Sequence, residues 1–265
     1  SSIIKNFIGN KNYNNLNKFI VCPVFMEEIQ NKGYENAYNK DKNTDKDDKS
    51  SFDTNSTLAS LFVFPDGSYG ENGYKKYVEN NKLKDDFIKF IKKEGKENML
   101  NQIAKCSAKY AFTIKKILEN VDNPDRTKRK CMFVYCNKVS NGGTILFALL
   151  LNLFEFSNAT SQIINTKQRR YILVKSEEGK LLSSEIIKNV FNSSKNIYGE
   201  YINLVIGSRI LSEGFSLFHI QEEFILTPYW NYSETDQAIA RGIRSDSHNL
   251  LLDGFEFNYL NELDD

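Results

Sequence analysis

Several things are scarce in this 265-residue sequence, and each scarcity removes a class of protein. Cysteine occurs four times, at Cys22, Cys106, Cys131 and Cys136, without a Cys-x-x-Cys pair, and the two histidines, His219 and His248, lie far from them. That spacing argues against a zinc site and suits reduced thiols packed as small apolar groups. Neither sign of charge is in excess: 35 lysines and arginines face 34 acidic residues, a formal net charge of +1. Any attraction to a nucleic-acid backbone or an anionic membrane must therefore come from a local patch. The longest apolar run, Thr144 to Phe156, is broken by Asn152 and Glu155. It falls short of the ~20 residues that cross a bilayer and reads as a core helix, so no membrane association is expected. No basic-plus-apolar leader is visible at the N-terminus. A Gly-x-x-x-x-Gly-Lys-Ser/Thr loop is also missing, as is an Asp-Glu-x-His or Asp-Glu-x-Asp box after an apolar strand. The usual cradle and metal-holding carboxylate for Mg²⁺-NTP are therefore not in this chain. Arginine is rare too, at seven against 28 lysines, beside 31 asparagines. This looks like the bias of an AT-rich genome, and it makes each arginine informative, because a site that needs a planar bidentate guanidinium cannot accept lysine.

What is present divides into two textures. Residues 1–105 are polar and irregular and read as an accessory region. Asn36 to Asn55 alternates Lys and Asp with few apolar residues, which predicts a mobile, disordered loop. Phe19 to Phe25 and Leu58 to Phe64 look strand-like, with a turn at Pro65-Asp66-Gly67. Leu83, Phe87, Phe90 and Ile91 fall at helical spacing. Residues 106–265 are regular. An amphipathic helix over Ser107 to Asn120 precedes Cys131 to Cys136, an apolar run that suits a strand buried on both faces. A helix from Thr144, a strand Tyr171 to Val174, a helix Ser184 to Asn192, strands Ile202 to Ile206 and Glu223 to Thr227, and a helix from about Glu234 follow. This alternation predicts an α/β fold built on a doubly wound parallel sheet with helices on both faces. In such sheets chemistry sits beyond the carboxyl ends of the strands.

Two strand ends carry suitable residues. The strand ending at Ile206 runs into Gly207-Ser208-Arg209-Ile210-Leu211-Ser212-Glu213-Gly214, where glycines and small hydroxyls would let backbone amides meet a phosphate. The alternative is an ordinary turn with Glu213 buried and Arg209 exposed. Further on, Gln237, Arg241 and Arg244 are spaced i, i+4 and i+7, which on a helix starting near Glu234 places one amide and two guanidiniums on one face. Ser233 and Asp236 resemble a capping box. Ala238, Ala240 and Gly242 keep the helix slim. Two converging arginines suit a polyanion such as the terminal phosphates of a nucleotide, and the bland alternative is a solvated surface helix.

Order and spacing resemble the second RecA-like domain of a superfamily 2 helicase. Phe133 to Asn137 resembles motif IV, Gly207 to Leu217 motif V, and Gln237-Ala-Ile-Ala-Arg-Gly-Ile-Arg244 the Gln-x-x-Gly-Arg-x-x-Arg of motif VI, with Ala240 and Gly242 exchanging the usual small residues. Pro228-Tyr229-Trp230-Asn231 before motif VI and Ser247-His248 after it are similar to a group from large DNA viruses. That group includes the poxvirus early transcription factor small subunit and nucleoside triphosphate phosphohydrolase I. The resemblance covers Cys106 to Leu252 and implies a RecA-like, P-loop-NTPase-type fold. It implies catalytic roles for Arg241, Arg244 and Gln237, nucleotide contacts at Glu213 and Gly214, and sequence-independent DNA or RNA contacts at Asn137, Lys138, Ser208 and Arg209, with no metal ligand. ATP or another NTP with Mg²⁺ would bind mainly to a missing N-terminal RecA-like domain, leaving this piece inactive by itself. The same resemblance implies a role in viral transcription, a viral RNA polymerase as a partner, and the cytoplasmic viral factory or the virion as the location. The alternative is a non-catalytic RecA-like adaptor docked on a transcription complex.

Overall fold

The computed structural model describes residues 4–5, 19–43, 54–161, 166–174, 183–208, 216–227, 235, 237, 239–240, 242 and 247–252. Ahead of the sheet come β1 (Ile4–Lys5) paired antiparallel with β2 (Phe19–Ile20), the helices α1 (Glu28–Asn43), α2 (Thr54–Leu61) and α3 (Gly70–Tyr77), and β3 (Val78–Glu79) paired antiparallel with β4 (Lys82–Leu83). The centre is a parallel sheet of β5 (Cys131–Tyr135), β6 (Ser157–Asn158), β7 (Arg170–Leu173), β8 (Leu204–Gly207) and β9 (Ile220–Ile225). Its strand order is β6-β7-β8-β5-β9, and every neighbouring pair is parallel. Every residue of β5 is buried, as expected of a parallel strand covered on both faces.

Alternation along the strands sorts the core into two layers. Met132, Val134 and Cys136 share one cluster with Leu204, Ile206, Tyr171 and Leu173. Cys131, Phe133 and Tyr135 share the other with Ile172, Val205, Ile186 and Phe191. The first layer is covered by α4 (Asp85–Lys92), α5 (Met99–Cys106), α6 (Ala108–Val121) and α7 (Thr144–Asn152). The second is covered by the helical stretch 183–191, whose last part, Ile187–Phe191, widens into a π-turn closed by Asn192 N to Ile187 O at 2.8 Å. A parallel α/β sheet with helices on both faces is the architecture expected of a RecA-like domain. The expected helices near 83–93 and 107–120 form, and α6 is capped by Ser107, whose hydroxyl accepts from Tyr110 N and donates to Leu61 O at 2.7 Å.

The first third departs from expectation at two places. Asn36 to Asn43 is not a loop: it completes α1 (Glu28–Asn43), while 44–53 lie outside the described residues. The periodicity was hidden because α1 packs through small residues. A Cβ on Gly33 would sit 2.5 Å from Val63 Cγ1, and Ala37 lies in a small cluster with Ala59 and Val63. Asp41, near its end, accepts from Ser56 N at 2.7 Å and Asn55 Nδ2 at 2.8 Å and so caps the next helix, α2 (Thr54–Leu61). Leu58 to Leu61 accordingly belongs to α2 rather than a strand, and Val63 makes only an isolated bridge with Tyr69. Ordering is also shorter at Phe19 to Phe25, where only the first two residues pair. β9 starts three residues earlier than expected. Residues Leu61, Phe62, Phe64, Phe87 and Ile91 share one continuous core with Tyr110, Ile114 and Met132. Phe62 meets Tyr110 with ring centroids 5.6 Å apart, and Tyr110 meets Phe147 edge-on at 5.0 Å.

Candidate functional site at the carboxyl edge of the sheet

The parallel ladder carries three strands to one edge. Past the end of β5, Cys136 N donates to Gly207 O at 3.0 Å, and past the end of β9, Leu226 N donates to Tyr135 O at 2.9 Å. Asn137 N then donates to Thr227 Oγ1 at 2.8 Å. Asn137, Ser208 and Thr227 are thus brought to the same edge, with Ser208 only 2% exposed. The Asn137 side-chain oxygen is buried without a hydrogen-bond partner, an unusual state for a buried acceptor. Thr227 was not foreseen from the sequence; its place at the strand end beside Pro228 was the available signal.

Lys109 was also missed, and no local pattern could have found it. It stands in the first turn of α6 with its side chain largely buried, and burial holds its ammonium below the usual lysine range. The Cys136 thiol beside it is pushed up to about 11 by burial, against the opposing pull of the Lys138 amide, the Thr227 hydroxyl and the charges of Lys109 and Lys138. Cys131, in the other layer, is pushed up to about 12 by burial. Three of the four thiols are buried and unpaired as expected, while Cys22 is exposed.

The loop from Asn137 to Gly143 is folded back on the start of α7. Thr144 N donates to Lys138 O at 2.9 Å, Ile145 N to Val139 O at 3.0 Å, and Gly143 N to Ser140 O at 3.0 Å. The first amides of α7 are therefore already used, and a phosphate at this loop would be met by the Asn137 and Lys138 side chains rather than by the helix end. Asn141 and Gly142 take positive φ, 56° and 102°. From below, the buried Tyr110 hydroxyl donates to the carbonyls of Gly142 and Gly143, at 2.5 and 3.2 Å.

The motif V and motif VI residues are only partly in view. Arg209, Glu213, Gly214, Arg241 and Arg244 lie outside the described residues, as do Pro228 to Glu234 and Asp236. The return from motif V is pinned by Asn192, which donates to Ser216 O at 2.8 Å and accepts from Phe218 N at 2.9 Å. In motif VI, Thr235, Gln237 and Ile239 are helical, with Gln237 exposed and Ile239 buried, but Ala240 and Gly242 are in turns. Gly242 N bonds back three residues to Ile239 O at 3.2 Å. Among the described residues, regular helix therefore stops before Arg241, and the shared face expected for Gln237, Arg241 and Arg244 is seen only at Gln237. Gly242 therefore does not serve to slim a helix as expected; it sits in a turn where a Cβ would lie 2.0 Å from Glu223 Oε1.

Among the described residues no helix is long and apolar enough to cross a membrane. No protein-family model matches the chain. It is 38% identical over 240 residues to "Putative helicase 087L" of Invertebrate iridescent virus 3, covering 90% of this chain and 23% of that protein. It is 28% identical over 192 residues to "Putative ATP-dependent RNA helicase" of Heliothis virescens ascovirus 3e, covering 71% of this chain and 19% of that one. Over 105 residues it is 34% identical to the "Termination factor NPH-I homolog" of African swine fever virus (isolate Warthog/Namibia/Wart80/1980), covering 39% of this chain and 14% of that protein. The chain is thus similar to viral proteins named as putative helicases and spans less than a quarter of the length of these relatives.

Proposed function

We propose that this chain is the C-terminal, second RecA-like half of an NTP-dependent nucleic-acid translocase or helicase. In this reading Arg241 and Arg244, oriented with Gln237, reach an NTP site whose phosphate cradle and Mg²⁺ ligands lie on an N-terminal RecA-like domain. There they stabilise charge on the transferring γ-phosphoryl group. Glu213 and Gly214 add nucleotide contacts. Residues 1–105 are an accessory region, whose part from Leu61 to Met99 shares the core of the RecA-like domain.

The observation that carries the reading is the edge that brings together Asn137, Lys138, Ser208 and Thr227. Its partly exposed members, Asn137 and Lys138, offer an amide and an ammonium group, which fit an anionic backbone and read no base, while Ser208 and Thr227 are buried beside them. With Arg209 they would hold one strand of DNA or RNA without sequence preference, while nucleotide closes and opens the two RecA-like halves around it. The relatives named as termination factor homologues favour a role in viral transcription; a place beside the viral polymerase, in the cytoplasmic factory or the virion, belongs to the same proposal.

The second reading, a RecA-like adaptor without catalysis, is disfavoured by the retained Gln237, Arg241 and Arg244, which an adaptor does not need. The test is turnover by the complete gene product. Arg241→Ala or Arg244→Ala lowers kcat by roughly 10³-fold if that arginine is the finger, with a much smaller change in nucleotide binding. Lysine at the same position rescues little. Wild-type turnover in both alanine variants selects the adaptor. The 265-residue chain alone hydrolyses NTP no faster than buffer, and robust turnover dependent on one of its own residues refutes the half-motor reading.

A further inference from the structure

A half-buried cation in this fold is normally met by an oxygen. Lys130 pairs with Glu222 at 2.8 Å, Lys116 with Glu119 at 2.7 Å and Lys105 with Glu94 at 3.6 Å, while Arg129 donates to Asn123 O at 2.8 Å. Arg169 and Arg170 likewise reach backbone carbonyls, at 3.0 and 3.4 Å. Among the described residues, two half-buried lysines have neither a hydrogen bond nor an ion pair at their ammonium groups, and they are Lys109 and Lys138. A charge withdrawn from water without a partner is costly to keep, so what these two share becomes informative.

They share one frame. Lys109 follows Ala108, whose amide donates to Gln30 Oε1 at 3.0 Å, and Ser107, whose hydroxyl donates to Leu61 O at 2.7 Å. On its other side Tyr110 bonds the carbonyls of Gly142 and Gly143, in the loop that carries Lys138. Lys138 is fixed in turn, its carbonyl accepting from Thr144 N at 2.9 Å. Both ammonium charges act on the same thiol, Cys136, just past the end of β5. Burial keeps that thiol protonated at neutral pH, so it supplies no counter-charge, and burial also holds the Lys109 ammonium below the usual lysine range. Two like charges converge on one partly desolvated place, and an anion between them would relieve both costs.

We propose that Lys109 is a further nucleic-acid contact of this chain, forming with Lys138 a two-lysine seat for one backbone phosphate of the bound strand. The inference rests on the translocase reading of the same edge and adds to it a residue of α6, upstream of the whole sheet. Lysine meets a phosphate as a point charge and reads no base, so the seat adds affinity without sequence preference. The first amides of α7, which the terminal phosphates of a nucleotide would use, are already bonded to Lys138 O and Val139 O. Side-chain charge without an amide cradle suits the single charge of a phosphodiester better than a triphosphate.

The test is binding of labelled oligothymidylate and oligouridylate to the complete gene product, followed by fluorescence anisotropy over a range of salt. Lys109→Met keeps the apolar stem and removes the charge. It should weaken binding of both strands about fivefold at about 0.1 M salt and lower the slope of log K against log salt by about 0.7, the counterion release of one single-strand phosphate. Lys109→Arg keeps the slope, and Lys109→Met melts no lower than wild type because no partner is orphaned. A second readout needs no variant: acylation of Lys109 by an amine reagent, located by mass spectrometry, slows when the oligonucleotide is bound and not when nucleotide alone is bound. An unchanged salt slope with a lowered Tm in Lys109→Met assigns Lys109 to a structural ion pair and overturns the proposal, as does acylation that the strand does not slow. A raised nucleotide KM with strand binding intact gives the phosphate to the nucleotide and also overturns it. Wild-type protein that binds neither oligonucleotide at low salt refutes the translocase reading of the edge together with the seat, whereas normal wild-type binding that Lys109→Met leaves untouched refutes the seat alone.

Discussion

Gly143→Ala is the substitution whose cost can be reasoned furthest. Gly143 caps α7 with φ −86°, a value any residue tolerates, so backbone strain is not the issue. The obstacle is space: a Cβ would lie 2.0 Å from Lys138 O and 2.4 Å from Lys138 C. These are backbone atoms, and Lys138 O is already the acceptor of Thr144 N at 2.9 Å. To reach an ordinary contact the 137–143 loop must retreat by more than an ångström. Overpacking of this kind costs about 1–3 kcal/mol. Losing or stretching the Thr144 bond adds about 0.5–1.5 kcal/mol. The expected sum is about 1.5–4.5 kcal/mol, and at ~2–4 °C per kcal/mol for a domain of this size the Tm falls by about 3–18 °C. Gly142→Ala is the control. Its Cβ would meet nothing nearer than Phe62 Cβ at 3.6 Å, so its cost is that of a side chain at φ 102° and not of a clash. That is of order 1–3 kcal/mol. Thermal unfolding followed by circular dichroism separates the two through a third variant. Tyr110→Phe removes the loop's lower anchor, and a loop freed to move should lessen the penalty of Gly143→Ala but not that of Gly142→Ala. A Gly143→Ala protein melting within a degree of wild type, or equal additivity of both alanines with Tyr110→Phe, refutes the steric argument.

Asn196 donates to Phe191 O and Ile202 O and accepts from Tyr201 N and Ile202 N, all within 2.9–3.1 Å and fully buried. Asn196→Ala is therefore expected to cost more than the ~1–3 kcal/mol of a single orphaned group, seen as a lowered denaturation midpoint with unchanged slope. Glu223 has a folded pKa raised by burial, so it weighs against the folded state as pH rises from its unfolded value near 4.5 through that raised value. Glu223→Gln should then be more stable than wild type at pH 8, with the gap closing towards pH 4.5, and a pH-independent gap refutes this. His219 and His248 are both held below 6.5 by burial, so the stability their neutral forms contribute is present above that value and is lost as pH falls through their folded values. A Glu223→Gln background isolates this effect, and His248→Gln should flatten the remaining acid-side loss of Tm. Ser107→Ala removes the cap of α6 and the bond to Leu61 O, for about 1–2 kcal/mol in the same assay.

The part of this protein legible in its residues is the part governed by period. Cys131 to Cys136 reads as a strand because a parallel strand covered on both faces needs an unbroken apolar run, and α6 reads as a helix because its apolar residues recur at helical spacing behind a serine cap. The alternation of such segments was enough for a parallel α/β sheet, and the spacing of motif residues was enough for the helicase resemblance. What period does not encode, the tertiary structure decided. α1 and α2 pack through Gly33, Ala37 and Ala59, whose value lies in the room they leave, so Asn36 to Asn43, read from its polarity as part of a loop, is helical where a second helix and the Asp41 cap meet it. Lys109 and Thr227 reach the edge of the sheet from opposite ends of the regular region, 118 residues apart in sequence, and only the packing of α6 on the β5 layer and the pairing of β9 with β5 bring both to Cys136. In the sequence Glu223 served only to mark the start of an expected strand. Burial against Gly242 is a property of two segments folded together, and sequence proximity carries no trace of it.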